Sequence, residues 1–113
     1  MAKSIYLSET LGSNAATIIH NNPSAYGADL LVDLTYSVGG GSASNITLYM
    51  APEGITLGAL GMGHLIRPAK EIAAGDALDD KVRRLPPQHY IAGISSVASA
   101  IRAIGTATPD NED

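Results

Sequence analysis

With 113 residues, a formal net charge of −4, charged residues at 16% and no cysteine, the chain is sized for a single domain with one core. The acidic balance leaves no cationic surplus for phosphates or an anionic membrane surface, so neither nucleic acid nor membrane is an expected partner. The missing cysteines remove disulfides, thiolate metal sites and cysteine nucleophiles together.

Phe and Trp are absent and five Tyr are the only aromatics, so the core must come from small and aliphatic side chains. Such a core is thin, and burying further area against a neighbouring subunit would supplement it. The opening MAKSIYLSETLG has no apolar run behind its lysine. No segment approaches the ~20 apolar residues of a membrane span, so the chain reads as soluble and without an export signal.

Short strands are predicted over residues 4–7 and 16–20, the second running into the turn-forming His20-Asn21-Asn22-Pro23-Ser24. The clearest period lies in 29–38, where Leu30, Val32, Leu34, Tyr36 and Val38 alternate with Leu31, Asp33, Thr35 and Ser37. After the glycine-rich run 39–44, Ile46, Leu48 and Met50 alternate with Asn45, Thr47 and Tyr49 until Pro52. The economical reading is a hairpin around the glycine-rich loop, with Tyr36 buried and Tyr49 on the outer face, exposed or covered by a neighbouring subunit. Further strands are expected over 64–67, 89–95 and 97–106, the last also compatible with a helix.

Residues 76–85 offer an Asp N-cap, apolar residues at helical spacing and acidic residues four before basic ones, so a short helix competes there with a strand. Many short strands separated by turn residues predict an all-β class, an antiparallel β-sandwich or jelly-roll-like fold, with one short helix near 76–85 as the variant. A single β domain is expected over 1–108, followed by a solvated acidic tail, 109–113.

No chemistry-bearing motif stands out. His20, His64 and His89 lie far apart and fit no metal-ligand spacing. Asp29, Asp33, Asp76, Asp79 and Asp80 lack the pattern of a calcium loop, and read better as solvated turns and caps. The glycines of 39–41 and 58–63 lack the ending of a phosphate loop, no serine sits in a nucleophile elbow, and the Asn45-Ile46-Thr47 sequon means little without an export signal. No catalytic residue, cofactor or metal is expected. The basic cluster Lys81, Arg83 and Arg84 reads as neutralised by its acidic neighbours. In the sharper alternative it forms salt bridges between subunits. With Tyr49, these three are the candidate partner contacts.

The second half carries Ile72-Ala73-Ala74-Gly75-Asp76, a strand reaching Leu85, Pro86-Pro87-Gln88-His89-Tyr90-Ile91 and then an Ala/Ser-rich stretch, and NITLYM stands at 45–50. This order resembles small β-sandwich virion proteins of tailed bacteriophages, over roughly residues 29–106. Their pattern has Gly-Asp where Gln88-His89 stands here, which puts the tight turn after Pro87 in question. The resemblance implies a non-enzymatic structural subunit, head decoration or neck and collar ahead of tail. It would be assembled in the bacterial host cytoplasm and would contact copies of itself and other virion proteins. The aromatic-poor core, which leaves apolar strand faces needing a partner, independently predicts self-association as a trimer or larger ring. The rival from another class is a carbohydrate- or receptor-binding β-sandwich of a phage tail or fibre, which an aromatic platform would favour.

Overall fold

Alternation in residues 30–38 produces β3 (Leu30–Val38), whose inward positions Leu30, Val32, Leu34, Tyr36 and Val38 are all buried, Tyr36 completely, while outward Leu31 is half-buried. The computed structural model describes residues 5–13, 15–23, 29–39, 43–97 and 100–109, and of residues 81–83 the backbone alone. Around β3 stand β1 (Ile5–Thr10), β2 (Thr17–Asn22), β4 (Ser44–Pro52), β5 (Leu65–Ile72), β6 (Ala77–Leu85), β7 (His89–Ser95) and β8 (Ile101–Pro109). They form two antiparallel four-stranded sheets, ordered β1-β8-β3-β6 and β2-β7-β4-β5, which is the strand order of a jelly roll. The fold is an all-β sandwich.

Inward-facing residues of both sheets share one core, with Leu7, Val32, Leu34 and Ile101 from the first and Ile46, Leu48 and Ile91 from the second. Among the described residues Tyr36 is the one aromatic ring in it. A second cluster lies on the outer face of the second sheet, where Ala51, Tyr90 and Ala92 are covered by Ile55, Leu57 and Leu60 of the β4–β5 connection. That connection contains two short 3-10 turns, Leu57–Ala59 and Met62–His64.

The hairpin expected between residues 29–38 and 45–50 does not form. β3 pairs with β6 and β8, and β4 pairs with β5 and β7, so the glycine-rich segment carries the chain from one sheet to the other. Alternation assigns a face to a strand and leaves its neighbour open. Residues 40–42 of that loop lie outside the described residues, as does Ser4 of the first expected strand.

No helix forms at 76–85. β6 is extended because its backbone pairs with β3 from Leu85↔Leu30 to Ala77↔Ser37, and tertiary pairing outweighs helix-like charge spacing. The strand expected over 64–67 continues past Pro68 to Ile72, since Pro68 sits on a sheet edge and in a stretch where the β4–β5 register shifts. The strand expected over 97–106 begins only at Ile101, after a turn closed by Ala100 N–H to Val97 O at 3.2 Å, and residues 98–99 lie outside the described set. β8 also takes in Pro109, the first residue of the expected tail, which pairs with Leu30. Residues 110–113 lie outside the described set.

The two motif turns have defined geometry. Asp76 N–H bonds Ala73 O at 3.0 Å and Gly75 has φ +78°, giving a turn that demands a left-handed residue at its third position. Gln88 holds φ +60°, so the tight turn questioned after Pro87 does form, with glutamine in the conformation glycine adopts most easily.

Candidate functional site

The residues proposed from sequence do not converge on one site. Tyr49 is on the outer face of the second sheet, as alternation requires, but the chain covers half of it. With Ala15, Ala16, Leu57, Leu60 and Ile94 it lines a depression of about 230 Å³. Arg84 is exposed on β6 and its Nη1 lies 3.3 Å from Asp29 Oδ2, at the entrance to β3. Lys81 and Arg83 are on the same strand, and their side chains lie outside the described residues.

Asp76, Asp79 and Asp80, the acidic neighbours of this cluster, each have a partner among the described residues. Asp76 Oδ1 accepts from Ala77 N–H at 2.8 Å, and Asp79 Oδ1 accepts from Thr35 Oγ1 at 2.9 Å. Asp80 is buried, at 4% exposure. Its Oδ2 accepts from the Tyr36 hydroxyl at 2.8 Å and from Arg67 Nε at 3.1 Å, and its Oδ1 accepts from Arg67 Nη2 at 3.4 Å. Reading Asp80 as a solvated cap is therefore corrected: it is the hub of a clamp between the sheets. β3 and β6 supply Tyr36 and Asp80, and β5 of the opposite sheet supplies Arg67. The hydrogen bond that Arg67 donates to Asp80 raises the Arg67 pKa above its ordinary value, against the opposing effect of burial.

Two other polar clusters also join strands. The Asn22 Nδ2 amide, at the end of β2, donates to Leu85 O at 2.9 Å, tying the second sheet to the end of β6. Ser44 and Ser95 share a buried hydroxyl–hydroxyl bond at 2.8 Å, and Ser96 Oγ accepts from Asn45 N–H at 2.8 Å, which pins the end of β7 to the start of β4. These serines bond one another and main chain, an arrangement suited to fastening rather than to nucleophilic attack.

The histidines are dispersed: His20 on β2, His64 in the second 3-10 turn and His89 at the start of β7. Burial holds the His20 pKa below its ordinary value. His64 Nδ1 accepts from Gly61 N–H at 3.2 Å. Among the described residues no group of three or more His, Asp or Glu is placed to hold a metal ion.

What sequence reading missed is at the first edge of the sandwich. On β1, Tyr6 is 70% and Ile5 47% exposed, the strand keeps an unbroken register with β8, and no strand pairs with its other side among the described residues. The signal was the apolar pair Ile5-Tyr6 in a segment without proline or basic residues.

No protein-family model and no curated protein matches the sequence. A solved structure from Bacillus endospore appendages, which form a novel family of disulfide-linked pili, superposes with a TM-score of 0.58 over 96% of this chain and 85% of that one, at 14% identity. The likeness is one of fold. These 113 residues contain no cysteine and so hold no residue for the disulfide link of those pili.

Proposed function

We propose that this chain is a non-enzymatic structural subunit of a tailed-phage particle, head decoration or neck and collar, assembling with copies of itself and with other virion proteins. The observation that carries the structural reading is where the buried polar groups are used. The Tyr36–Asp80–Arg67 clamp, the serine lock and the Asn22 amide bond all brace the sandwich. Although Asp80 borders an open depression of about 380 Å³ with Asp33 and Asp79, both its carboxylate oxygens are engaged by Tyr36 and Arg67. An exposed apolar edge strand adds a surface suited to a partner. The fold it shares with a pilus-forming protein supports an assembly role. The virion placement rests on the motif turns at 72–76 and 86–91, whose left-handed Gly75 and Gln88 give that sequence pattern a physical basis.

The carbohydrate-binding rival loses ground on its own criterion. On the outer face of the second sheet Tyr49 is half-covered and Tyr90 is buried, its hydroxyl donating to Ile55 O at 2.7 Å, so the pair presents no open aromatic platform. Light scattering of the purified chain at micromolar concentration should show species larger than a monomer, and a monomer throughout would refute self-assembly. Mass spectrometry of particles purified from the source bacterium should find the chain at a fixed ratio to the capsid protein. Its absence from such particles would overturn the virion placement.

A further inference from the structure

The four outer strands of the sandwich differ in how they are protected against pairing with another strand. β5 contains Pro68 and two register shifts, β2 has a shift between Ile18 and His20, and β6 has one opposite Val32/Leu34 and carries Asp79, Asp80, Lys81, Arg83 and Arg84. Proline, bulges and charge are the devices by which sheet edges are blunted. β1 has none of the structural ones and a single charge, Glu9, and it runs in continuous register from Ile5↔Ala107 to Thr10↔Arg102.

The phase of its ladder follows from one bond. Leu11 N–H donates to Ile101 O at 2.9 Å, which extends the same register by one step. In an antiparallel ladder bonded and non-bonded pairs alternate, so Ile5, Leu7, Glu9 and Leu11 bond β8, while Tyr6, Ser8 and Thr10 direct their N–H and C=O groups outward.

We infer that this edge pairs antiparallel with the same edge of a second copy, about a two-fold axis at Ser8, joining the two first sheets into one continuous sheet. The inference rests on the assembly reading above and names the surface that carries it. Centring on Ser8 sets Tyr6 opposite Thr10 of the other copy and Ser8 opposite Ser8, so all the outward groups find partners, two bonds per pair. Tyr6 meets a β-branched residue, a favourable cross-strand pair, and Glu9 faces Leu7 rather than the other Glu9, so no like charges are opposed. A second copy is the occupant because, with the other three edges blunted, β1 is the strand edge that copies of this chain can offer one another. Such an interface is isologous and closes at two, so larger assemblies require a further surface.

The test compares Ser8→Pro with Ser8→Ala by sedimentation equilibrium, with circular dichroism to verify folding. The Ser8 N–H makes no bond to β8, so proline there removes an outward donor and leaves the ladder intact, whereas alanine keeps the donor. Ser8→Pro should weaken association about tenfold or more, as two lost main-chain bonds per dimer imply, and Ser8→Ala should leave it near wild type. Should Ser8→Pro fail to fold, Ser8→Cys in this cysteine-free chain provides the second measurement. A hydrogen-bonded antiparallel pair has a Cα separation of about 5.5 Å, within disulfide reach, so mild oxidation should cross-link Ser8→Cys dimers far faster than a Thr56→Cys control. Association that Ser8→Pro leaves unchanged, or equal cross-linking of the two cysteine variants, overturns the edge and leaves the assembly reading standing. A wild-type monomer at all concentrations overturns both. A monomer that takes up an added β-forming peptide, and loses it on Ser8→Pro, shows that the edge receives a foreign strand and overturns self-pairing.

Discussion

Two buried or half-buried glycines in strand interiors, Gly93 and Gly105, should respond very differently to the same added methyl group. At Gly93 on β7 a Cβ would come 3.1 Å from Leu11 Cδ1, 3.4 Å from Ile19 Cδ1 and 3.5 Å from Ile46 Cδ1. These are the ends of side chains that can yield by a few tenths of an ångström. At Gly105 on β8 the Cβ would overlap the Asp33 carbonyl oxygen and lie 2.8 Å from the Asp33 carbonyl carbon and 3.0 Å from Leu34 Cα. Those atoms are main chain of β3, held by ladders on both sides, and no rotamer moves them. Gly93→Ala should therefore cost at most about 1 kcal/mol, the low end of overpacking. Gly105→Ala must part β8 from β3 locally, losing about two ladder bonds near 1 kcal/mol each on top of overpacking strain of about 1–3 kcal/mol, for a total of roughly 3–5 kcal/mol. Urea denaturation followed by far-UV circular dichroism would give both values from midpoints at constant slope. Equal losses, or a better-tolerated Gly105→Ala, would show that the approach of β3 to β8 at this point is not fixed by their backbones.

Tyr36→Ala should destabilise by about 4 kcal/mol, since it empties a fully buried site and strips Asp80 of a donor, whereas half-covered Tyr49→Ala should cost about 1 kcal/mol or less. Chemical denaturation of the two variants checks this, and equal losses would contradict the assigned faces. Gln88→Gly should raise stability by about 0.5–1 kcal/mol, because relief of the left-handed conformation outweighs the greater freedom glycine gives the unfolded chain. A lower melting temperature for that variant would refute the balance. His20 has a folded-state pKa below its ordinary 6.5, so the folded chain binds fewer protons than the unfolded one near that pH. Its contribution is present above pH 6.5 and is lost as pH falls through the folded value. His20→Gln should flatten that part of a melting-temperature profile, and an unchanged slope would assign it to other groups.

β3 was legible because one face is aliphatic or aromatic throughout and the other, apart from Leu31, is polar, and β7 because Pro86-Pro87 and Ser95-Ser96 bracket an apolar run. Pairing partners were not legible: a period of two says which side chains turn inward and is silent on which strand lies alongside. β6 was ambiguous because its acidic and basic residues fall at helical spacing, while the force that extends it comes from β3, 44 positions away at the Thr35–Asp79 bond. The Tyr36–Asp80–Arg67 clamp was hidden for the same reason, drawn as it is from three strands and two sheets. Tyr49 was assigned to the correct face, but the aperiodic β4–β5 connection folds back over it, and nothing in a strand pattern announces that. The β1 edge was partly visible in Ile5 and Tyr6. Its importance depends on the bulges and proline of the other edges, which only the pairing registers show.

The pairing of β1 with β8 also fixes an order of events. Ile5 finds its partner at Ala107, across nearly the whole length of the chain, and the other connections except β4–β5 likewise pass between sheets. So non-local a topology places folding in the millisecond-to-second range, slow enough for β1 to remain unpaired while the rest is being built. During synthesis β1 emerges before β8 and has no ladder partner until β8 arrives. An unfinished chain thus has β1 without the neighbour that sets its ladder phase, and the outward row at Tyr6, Ser8 and Thr10 exists only once the last strand is in place. Regular association through that row therefore needs β8 in place, while a chain still lacking β8 leaves both rows of β1 open to irregular pairing.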